Sequence, residues 1–355
     1  QPANPAVLKN DVERIRKLFA DKGYARAKVR YTLQMTNATE AAAVFLIAES
    51  VPSYVKQVTI SGNTNISALR IGWVMETKPR LLVLLRKGVF DEYTLKEDMW
   101  RIEELYQKAG YVEATANYRV EPTKEADGLA VHVNIVEGPP YTVGRIVIRQ
   151  ARMTGFMATN LFYEVSLYRG GTYSPQALDN DAEAIRNYYR SFGYADAGVT
   201  TKAILAPAST DAAKVVDVFF EVKESKIFDF GLVFINGNKR TEELVIRREL
   251  NVMPGDRYNY YRLETSKQRL VNLDYFEKVE IRDAPSKNMP NAKDVYVDVT
   301  EKRTGRLGFN IAYGTQSGFG GGLSYENSNI GGRGMKLSVG FDIGNREEYW
   351  LSYEQ

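Results

Sequence analysis

The sequence predicts an α+β fold in which tandem β-α-α-β-β repeats are followed by the first strands of an antiparallel transmembrane β-barrel. Three observations predict it. A helix that ends in an aromatic motif recurs along the chain, two strands with alternating apolar residues follow each copy, and from Thr304 the composition shifts toward glycine and aromatic residues. These features divide the chain into repeats and a C-terminal sheet.

The repeat is marked by four tyrosines, Tyr24, Tyr111, Tyr194 and Tyr275, which lie 87, 83 and 81 residues apart. Each of the first three follows an amphipathic helix with apolar residues at i, i+4, i+7, i+10 and i+11, a spacing that places them on one face packed against a core. A glycine before each of these tyrosines predicts a left-handed helix cap. The apolar residues are Leu8, Val12, Ile15, Leu18 and Phe19, then Leu95, Met99, Ile102, Leu105 and Tyr106, then Leu178, Ala182, Ile185, Tyr188 and Tyr189.

Each of these helices lies between strands. Period-two alternation of apolar and polar residues predicts the strand pairs that follow the helices, at residues 112–120 with 129–136, 195–204 with 215–223, and 278–282 with 294–301. Strands that precede the helices are expected at residues 55–60, 145–150 and 232–235. The first and last of these end at Gly-Asn turns, and Thr241 followed by two acids predicts the start of a helix over residues 242–250.

The last fifty residues predict a different structure. Residues 306–314, 319–326, 335–343 and 349–354 alternate large apolar side chains with small or polar ones. Four strands of this kind are typical of a membrane β-barrel, with a soluble sheet as the alternative. Because a barrel needs about eight strands, we expect the chain to be part of a longer protein. Its opening, Gln1-Pro2-Ala3-Asn4-Pro5, resembles a linker or a cut point and not a signal peptide.

The composition excludes several kinds of chemistry. The chain of 355 residues has no cysteine and one histidine, His132, so disulfides, thiol nucleophiles and multi-histidine metal sites cannot be built within it. Its 47 basic and 44 acidic residues give a net charge of +3, which is too small to predict nucleic-acid binding. No acid–base motif stands out. We therefore expect no enzyme activity, no cofactor and no metal, and we place His132 on the solvent side of a strand.

The repeats resemble POTRA domains, the periplasmic modules of outer-membrane assembly proteins. The resemblance rests on the turn Ile235-Asn236-Gly237-Asn238, the helix end Gly110-Tyr111 and the closing Val136-Glu137-Gly138. Residues 80–90 are similar to an insertion in the BamA family, and residues 313–318 resemble that family's first barrel strand. The domains so implied are residues 1–52 as the second half of a POTRA domain, 53–140, 141–226 and 227–303 as complete POTRA domains, and 304–355 as about four barrel strands.

Resemblance to the BamA family of outer-membrane assembly factors implies an energy-independent insertase for β-barrel proteins. It implies an outer-membrane location in a Gram-negative bacterium, with the POTRA domains in the periplasm. The implied partners are unfolded outer-membrane β-barrel proteins, periplasmic accessory lipoproteins of the assembly complex, and outer-membrane lipid. Client strands would pair with POTRA sheet edges and with the first barrel strand, at Leu307, Phe309, Ile311, Tyr313 and Gly314. By the same resemblance, the lipoprotein docking residues are Arg247, Arg248 and Glu249.

Two other functions stay open. A related POTRA transporter, either TamA-like or of the two-partner secretion type, would share the modules and the start of the barrel. Two-partner pores generally carry two POTRA domains, so three and a half argue against that type. A periplasmic peptide-binding scaffold would require residues 304–355 to be soluble, which partitioning of this segment into detergent would test.

Overall fold

The computed structural model describes residues 5–21, 24, 27–35, 41–48, 53–80, 88–125, 127–150, 158–314, 318–344 and 347–354. Most of the predicted insertion at residues 80–90, and the glycine before Tyr24, lie outside these ranges. Within them, no helix combines the length and the apolar composition needed to cross a membrane.

The chain begins with a helix and a hairpin. These are α1 (Pro5–Asp21), β1 (Lys28–Met35) and β2 (Ala41–Ala48), and the two strands pair antiparallel. Val12 of α1 is buried, but Leu18 is 60% exposed, so the prediction that the whole apolar stripe faces a core is wrong at that residue. The equivalent residues of the later helices, Leu105 and Tyr188, are only partly buried, which shows that this position lies at the margin of the stripe.

Three repeats with the predicted order strand, helix, helix, strand, strand follow. The first contains β3 (Tyr54–Ser61), α2 (Ala68–Val74), α3 (Glu92–Lys108), β4 (Thr115–Pro122) and β5 (Gly128–Val136). Its sheet has the order β3-β5-β4, with β3 parallel and β4 antiparallel to the central β5. Buried and more exposed residues alternate from Val131 onward, and His132 lies on the more exposed face, as predicted.

The second repeat contains β6 (Tyr141–Gln150), α4 (Ala158–Phe162), α5 (Pro175–Ser191), β7 (Gly198–Leu205) and β8 (Lys214–Lys223), with the sheet order β6-β8-β7. Its first strand begins four residues before the predicted residue 145. The additional residues are held by backbone hydrogen bonds, from the Tyr141 amide to the Gly110 carbonyl and from the Tyr173 amide to the Tyr141 carbonyl. Such contacts between distant segments leave no periodic signal in the sequence.

The third repeat contains β9 (Asp229–Asn236), α6 (Glu243–Arg247), α7 (Tyr260–Asn272), β10 (Phe276–Pro285) and β11 (Ala292–Glu301), with the sheet order β10-β11-β9. The central β11 is parallel to β9 and antiparallel to β10. A four-stranded antiparallel sheet follows, with the strands in chain order: β12 (Gly305–Gly314), β13 (Gly318–Ile330), β14 (Met335–Ile343) and β15 (Glu348–Glu354).

The chain forms two compact units. One comprises Gln1–Val147, Ser166–Asn180 and Thr201–Phe219, and the other Ile148–Val165, Asp181–Thr200 and Phe220–Gln355. The first unit has a core made by α2, α3 and the inner face of β3-β5-β4, with Leu95 and Ile102 fully buried. The second has a core made by α6, α7 and the inner face of β10-β11-β9, with Ile246 and Leu270 fully buried.

The glycine-tyrosine motif acts as a helix cap with a packed ring, as predicted. Gly110 has φ +92° and Gly193 has φ +100°, both in the left-handed region. The cap returns the tyrosine to its own helix, where Tyr106 and Tyr111 make an edge-to-face pair at 6.0 Å. Tyr189 with Tyr194 and Phe19 with Tyr24 repeat this geometry at 5.9 and 6.0 Å. The recurring motif is therefore a packing device.

A glutamate at the end of the last strand closes the first repeat. Glu137, three residues beyond the last parallel pair of Ser61 with Asn134, is buried and accepts the amides of Thr64 (2.7 Å) and Asn65 (2.9 Å). It also accepts the Asn65 side-chain amide (2.6 Å) and the Tyr106 hydroxyl (2.8 Å). Burial alone would raise the pKa of Glu137, but these donors stabilise the anion and hold that pKa below its ordinary value.

We predict that Glu137→Gln loosens the turn after β3. The substitution removes a charge-assisted acceptor from two backbone amides, so hydrogen-exchange protection of Thr64 and Asn65 should fall by about tenfold or more. Because the folded-state pKa of Glu137 is depressed, the wild-type contribution is complete above the unfolded-state pKa of about 4.3 and is lost as the pH falls through the folded value. The variant should lack this pH dependence.

The matched control is Glu104→Gln, which changes a partly exposed carboxylate of α3 that is paired with Lys108. Protection at Thr64 and Asn65 should be unchanged in this control. Equal loss of protection in the two variants would contradict the closing role of Glu137.

Candidate functional site

The first strand of the C-terminal sheet exposes one apolar face. Strand β12 pairs with β13 from Gly305–Asn327 to Gly314–Gly318, and no other described strand pairs with it. Its large apolar side chains all point to one exposed face, and Ile311, the most exposed, is 85% accessible. The face is formed by four of the predicted seam residues, Leu307, Phe309, Ile311 and Tyr313. Gly314, the fifth, closes the strand.

The opposite face of the same sheet is polar or small. Asn310 donates to Asp342 at 3.0 Å, and glycines occupy several of the positions around this pair. An exposed apolar face opposite a polar one is the alternation of a strand with lipid on one side and water on the other. The residues 315–317 that connect β12 to β13 lie outside the described ranges.

The start of β12 is fixed to the third repeat by one aspartate. Asp274 has φ +61°, a left-handed conformation at the position where the earlier helix caps have Gly110 and Gly193. Its carboxylate is bound by Lys302 and by Arg306 of β12. Hydrogen bonding and charge from these cations hold the pKa of Asp274 below its ordinary value. Glycine would adopt this left-handed backbone with less strain than aspartate. Only aspartate, however, has a carboxylate that can bind Arg306 of β12.

A second glutamate closes the third repeat in the same way as Glu137. Glu301 lies three residues beyond the parallel pair of Asn236 with Asp298 and accepts the amides of Lys239 (3.2 Å), Arg240 (3.0 Å) and Thr241 (2.7 Å). Burial would raise the pKa of Glu301, but these donors keep it below its ordinary value. The turn that follows β9 is therefore held in one conformation.

The hairpin between β13 and β14 docks on this turn. The Glu242 amide donates to the Gly332 carbonyl (2.8 Å), the Asn329 side-chain amide donates to the Thr241 hydroxyl (2.9 Å), and Arg333 donates to the Glu242 carboxylate (3.1 Å). Gly332 has φ +76°, and a Cβ there would lie 1.8 Å from the Arg240 carbonyl oxygen. The close approach therefore requires glycine.

The predicted docking residues lie next to this junction, but not on the helix that the sequence predicts. Helix α6 spans only Glu243–Arg247, and Glu242, which makes no side-chain cap bond, replaces Thr241 as the N-cap. After the helix, the Glu249 and Leu250 amides donate to carbonyls three residues back, those of Ile246 and Arg247, and the Asn251 amide donates to the Ser266 hydroxyl (2.7 Å). The prediction of a helix over residues 242–250 is therefore wrong in length and in its cap.

The three docking candidates differ in how they are held. Arg247 donates to Glu243 (2.6 Å) and to the Val233 carbonyl (3.2 Å), which fixes its guanidinium over the start of the repeat. Arg248 lies 3.4 Å from the Glu249 carboxylate. Arg247 and Arg248 remain exposed on the same short segment that the hairpin contacts.

Three residues that organise the junction are missed by the sequence analysis: Glu301, Asn329 and Asp274. For Glu301 a signal exists, since Glu137 ends the first repeat at the same place. Asp274 has a weaker signal, the departure from the glycine-tyrosine motif at the fourth tyrosine. For Asn329 no sequence signal exists. In the described part of the chain, no three acidic or histidine side chains are grouped to hold a metal ion.

Comparison with protein families identifies the repeats. The family model for POTRA, described as a surface antigen variable number repeat, matches residues 53–138, 141–225 and 228–302, more than half of the chain. The outer membrane protein assembly factor BamA of Nitratidesulfovibrio vulgaris strain Hildenborough is 23% identical over 366 residues, which cover 99% of this chain and 44% of that protein. A putative outer membrane protein assembly factor of Treponema pallidum strain Nichols is 24% identical, covering 97% of this chain and 41% of that protein. The chain thus spans less than half the length of these two relatives.

Two solved structures share the fold. BamA POTRA3-5 of Haemophilus influenzae matches with a TM-score of 0.53 and 23% identity, covering 70% of this chain and 96% of that one. BamA of Haemophilus ducreyi lacking POTRA domains 1-3 matches with a TM-score of 0.51 and 22% identity, covering 60% of this chain and 39% of that one. The predicted fold class, POTRA repeats followed by the first strands of an antiparallel barrel, is confirmed.

We predict that Gly332→Ala separates the hairpin from the third repeat. The added methyl group cannot fit against the Arg240 carbonyl, so the hydrogen bond from the Glu242 amide to residue 332 should break. Hydrogen exchange at the Glu242 amide should then rise by about tenfold or more.

The chain supplies a matched control next to this residue. Gly331 also has a positive φ, +60°, but a Cβ there meets nothing within 4 Å. Gly331→Ala should therefore carry the cost of backbone strain alone and leave exchange at Glu242 nearly unchanged. If both variants accelerated exchange equally, strain in the hairpin and not contact with Arg240 would be the cause.

Proposed function

This chain belongs to the POTRA family, and we propose that it acts in the assembly of β-barrel proteins in the outer membrane of a Gram-negative bacterium, with its POTRA repeats in the periplasm. We propose that strand β12 is where an incoming client strand pairs. The observation that carries the proposal is the exposed apolar face of β12 combined with the three glycines in this strand, which weaken its cross-strand contacts. The names of the relatives support the general activity.

The backbone of a strand in a membrane needs partners on both sides. Unpaired backbone amides and carbonyls cost several kcal/mol each in hydrocarbon, so an edge strand in lipid requires a partner strand. A client strand that adds to β12 satisfies these groups through main-chain hydrogen bonds, which place little demand on its sequence. This suits a protein that assembles many different barrels.

The composition of β12 favours release of a client as well as binding. Gly305, Gly308 and Gly314 supply no side chains to the cross-strand contacts that stabilise a sheet. Strand β15, by contrast, contains no glycine in Glu348–Glu354 and has two tyrosines and a tryptophan. Pairing at β12 would therefore rest mainly on hydrogen bonds of about 1 kcal/mol each, which can exchange for those within the finished client.

The edges of the POTRA sheets offer further, weaker pairing sites. In the repeats whose strand registers are described, β4 and β10 are outer strands. Both have charged residues on the exposed face, such as Arg119 and Glu121 of β4 and Lys278 and Glu280 of β10, which oppose permanent pairing. We propose that these edges hold unfolded clients transiently, and that several such sites in one chain raise the effective concentration at β12.

We also propose that periplasmic accessory lipoproteins dock at Arg247, Arg248 and Glu249. The fixed guanidinium of Arg247 loses little conformational entropy when a carboxylate binds it. The hairpin between β13 and β14 approaches Arg248 at Gly334, so a docked lipoprotein would stabilise the junction between the third repeat and this hairpin. The absence of cysteine, and a lack of any acid–base motif, agree with a function that proceeds without covalent chemistry.

Site-specific cross-linking tests the client site. Because the chain has no cysteine, Ile311→Cys introduces a single attachment point for a photo-cross-linker on β12. Val339→Cys is the matched control, since Val339 lies on the same apolar face of β14, which is paired on both sides. With the chain in lipid vesicles and an unfolded outer-membrane barrel protein added, we expect several times more client adduct from position 311 than from position 339.

Equal adducts from the two positions, or none from either, would contradict client pairing at β12. A secreted polypeptide that forms no barrel should compete poorly with the client. Strong competition by that polypeptide would favour a POTRA transporter instead.

A second experiment tests lipoprotein docking. Arg247→Glu reverses the charge of the fixed guanidinium and should reduce co-purification of the accessory lipoproteins with the chain by about tenfold or more. Arg269→Glu is the control, because Arg269 is an exposed cation of the same repeat, on α7, and forms no ion pair with a described residue. Equal loss in the two variants would indicate a general charge effect, and no loss in either would place the docking surface elsewhere.

A further inference from the structure

The net charge of the chain is concentrated at the junction between the third repeat and the barrel strands. Nine charged side chains lie in the turn after β9, at the end of β11, at the start of β12, at the cap of α7 and in the hairpin between β13 and β14. Six are cations: Lys239, Arg240, Lys302, Arg303, Arg306 and Arg333. Three are anions: Glu242, Asp274 and Glu301. The difference, +3, equals the net charge of the whole chain, so the remaining residues sum to zero.

Half of the junction cations form no ion pair with a described residue. Lys302 and Arg306 are bound by Asp274, and Arg333 is bound by Glu242. Lys239, Arg240 and Arg303 are exposed and form no ion pair with any residue that the structure describes. Glu301 lies close to Arg303 in sequence, but its carboxylate accepts three backbone amides, two of them from Lys239 and Arg240. The carboxylate of Glu301 thus binds the turn, and the side chains of the three cations stay exposed to water.

Their position is fixed relative to the apolar face of the barrel strands. Arg303 precedes Leu307, the first large apolar residue of β12, by four residues, which span at most about 14 Å along the chain. A strand tilt of about 40° reduces this to about 11 Å along the membrane normal. The headgroup layer adds about 5–7 Å to each side of the hydrocarbon, and charges interact over about 8 Å at physiological salt. Arg303 therefore lies within electrostatic reach of lipid phosphates.

Lys239 and Arg240 lie at the same level. The Arg240 carbonyl packs against Gly332, in the hairpin that joins two of the barrel strands. Glu301 fixes the backbone of both residues, so their side chains are presented from a rigid turn and not from a mobile loop. Lys239, Arg240 and Arg303, which form no ion pair with a described residue, therefore lie on the side of the third repeat from which the barrel strands start.

We infer that Lys239, Arg240 and Arg303 bind anionic phospholipid headgroups of the membrane that β12 to β15 enter. This inference rests on the proposed function, because it needs those strands to lie in a bilayer. The contact would hold the third repeat against the membrane surface, with the turn after β9 facing the headgroups. Each unpaired cation near an anionic surface strengthens association about fivefold, so three give about a hundredfold preference for anionic over neutral lipid.

Vesicle flotation with the full chain tests the inference. Two kinds of vesicle are compared, one of phosphatidylcholine alone and one with phosphatidylglycerol replacing about a third of it. The measured quantity is the ratio of the two partition coefficients, which removes the apolar contribution of the strands. We expect a ratio of about a hundred for the wild-type chain, falling as salt is added. The triple variant Lys239→Gln, Arg240→Gln, Arg303→Gln should have a ratio near one.

The control removes the same charge elsewhere. Lys124, Lys202 and Lys287 are also exposed and form no ion pair with a described residue. Lys124 and Lys202 belong to other repeats, and Lys287 precedes β11, at the opposite end of that strand from Lys302. Their triple glutamine variant should keep the wild-type ratio. A ratio equally reduced in both variants would show that only net charge matters and would overturn the inference. So would a wild-type ratio near one.

The outcomes also separate this inference from the proposed function. If the chain associates with both vesicles equally, the strands enter lipid and the headgroup contact alone is wrong. If it associates with neither, the assignment of β12 to β15 to a membrane is wrong. Inorganic phosphate at millimolar concentration should not lower the ratio beyond its effect on ionic strength. A specific loss would indicate a pocket for a free anion and contradict a lipid surface.

Discussion

The structure depends on one recurring interaction, a carboxylate at the end of a central strand that binds backbone amides of the turn after the first strand. Glu137 and Glu301 occupy this place in two repeats, each three residues beyond the last parallel pair. The geometry is possible only because the first and last strands of a repeat run parallel, which brings both of their C-terminal ends to one edge of the sheet. Gly62 and Gly237 permit the close approach, since a Cβ at either residue would lie 2.0 Å from a carbonyl oxygen of the central strand. The interaction thus closes the repeat and fixes its turn.

In the third repeat the same interaction also organises the junction with the barrel strands. The turn held by Glu301 is the surface on which the hairpin between β13 and β14 docks, and it also presents the cations assigned to lipid. Asp274 replaces the glycine of the earlier helix caps and binds the start of β12. A left-handed non-glycine residue and a glycine without space for a methyl group lie on either side of the same junction. Both residues therefore restrict how the repeat meets the barrel strands.

The functional picture follows from what the chain exposes. We propose that the chain works through main-chain hydrogen bonding, apolar burial and charge. Each would have its own location: strand β12 for a client strand, the apolar face of the sheet for lipid tails, and the junction cations for headgroups. Arg247 and Arg248 lie beside the same junction, so client pairing, lipid contact and lipoprotein docking would all act on one short region of the chain. This proximity gives a physical route by which docking could influence the pairing strand.

The sequence by itself determined the order of elements, because helix and strand periodicity are local properties that each segment expresses alone. It also determined the left-handed caps at Gly110 and Gly193, the exposed alternation of β12 and the solvent-side position of His132. Only the tertiary structure decided the short length of α6, the early start of β6 at Tyr141 and the exposure of Leu18. It also decided the partners of Glu301, Asp274 and Asn329. The partners of Glu301, Asp274 and Asn329 lie from about 28 to 88 positions away, and periodicity within one segment carries no information about such partners.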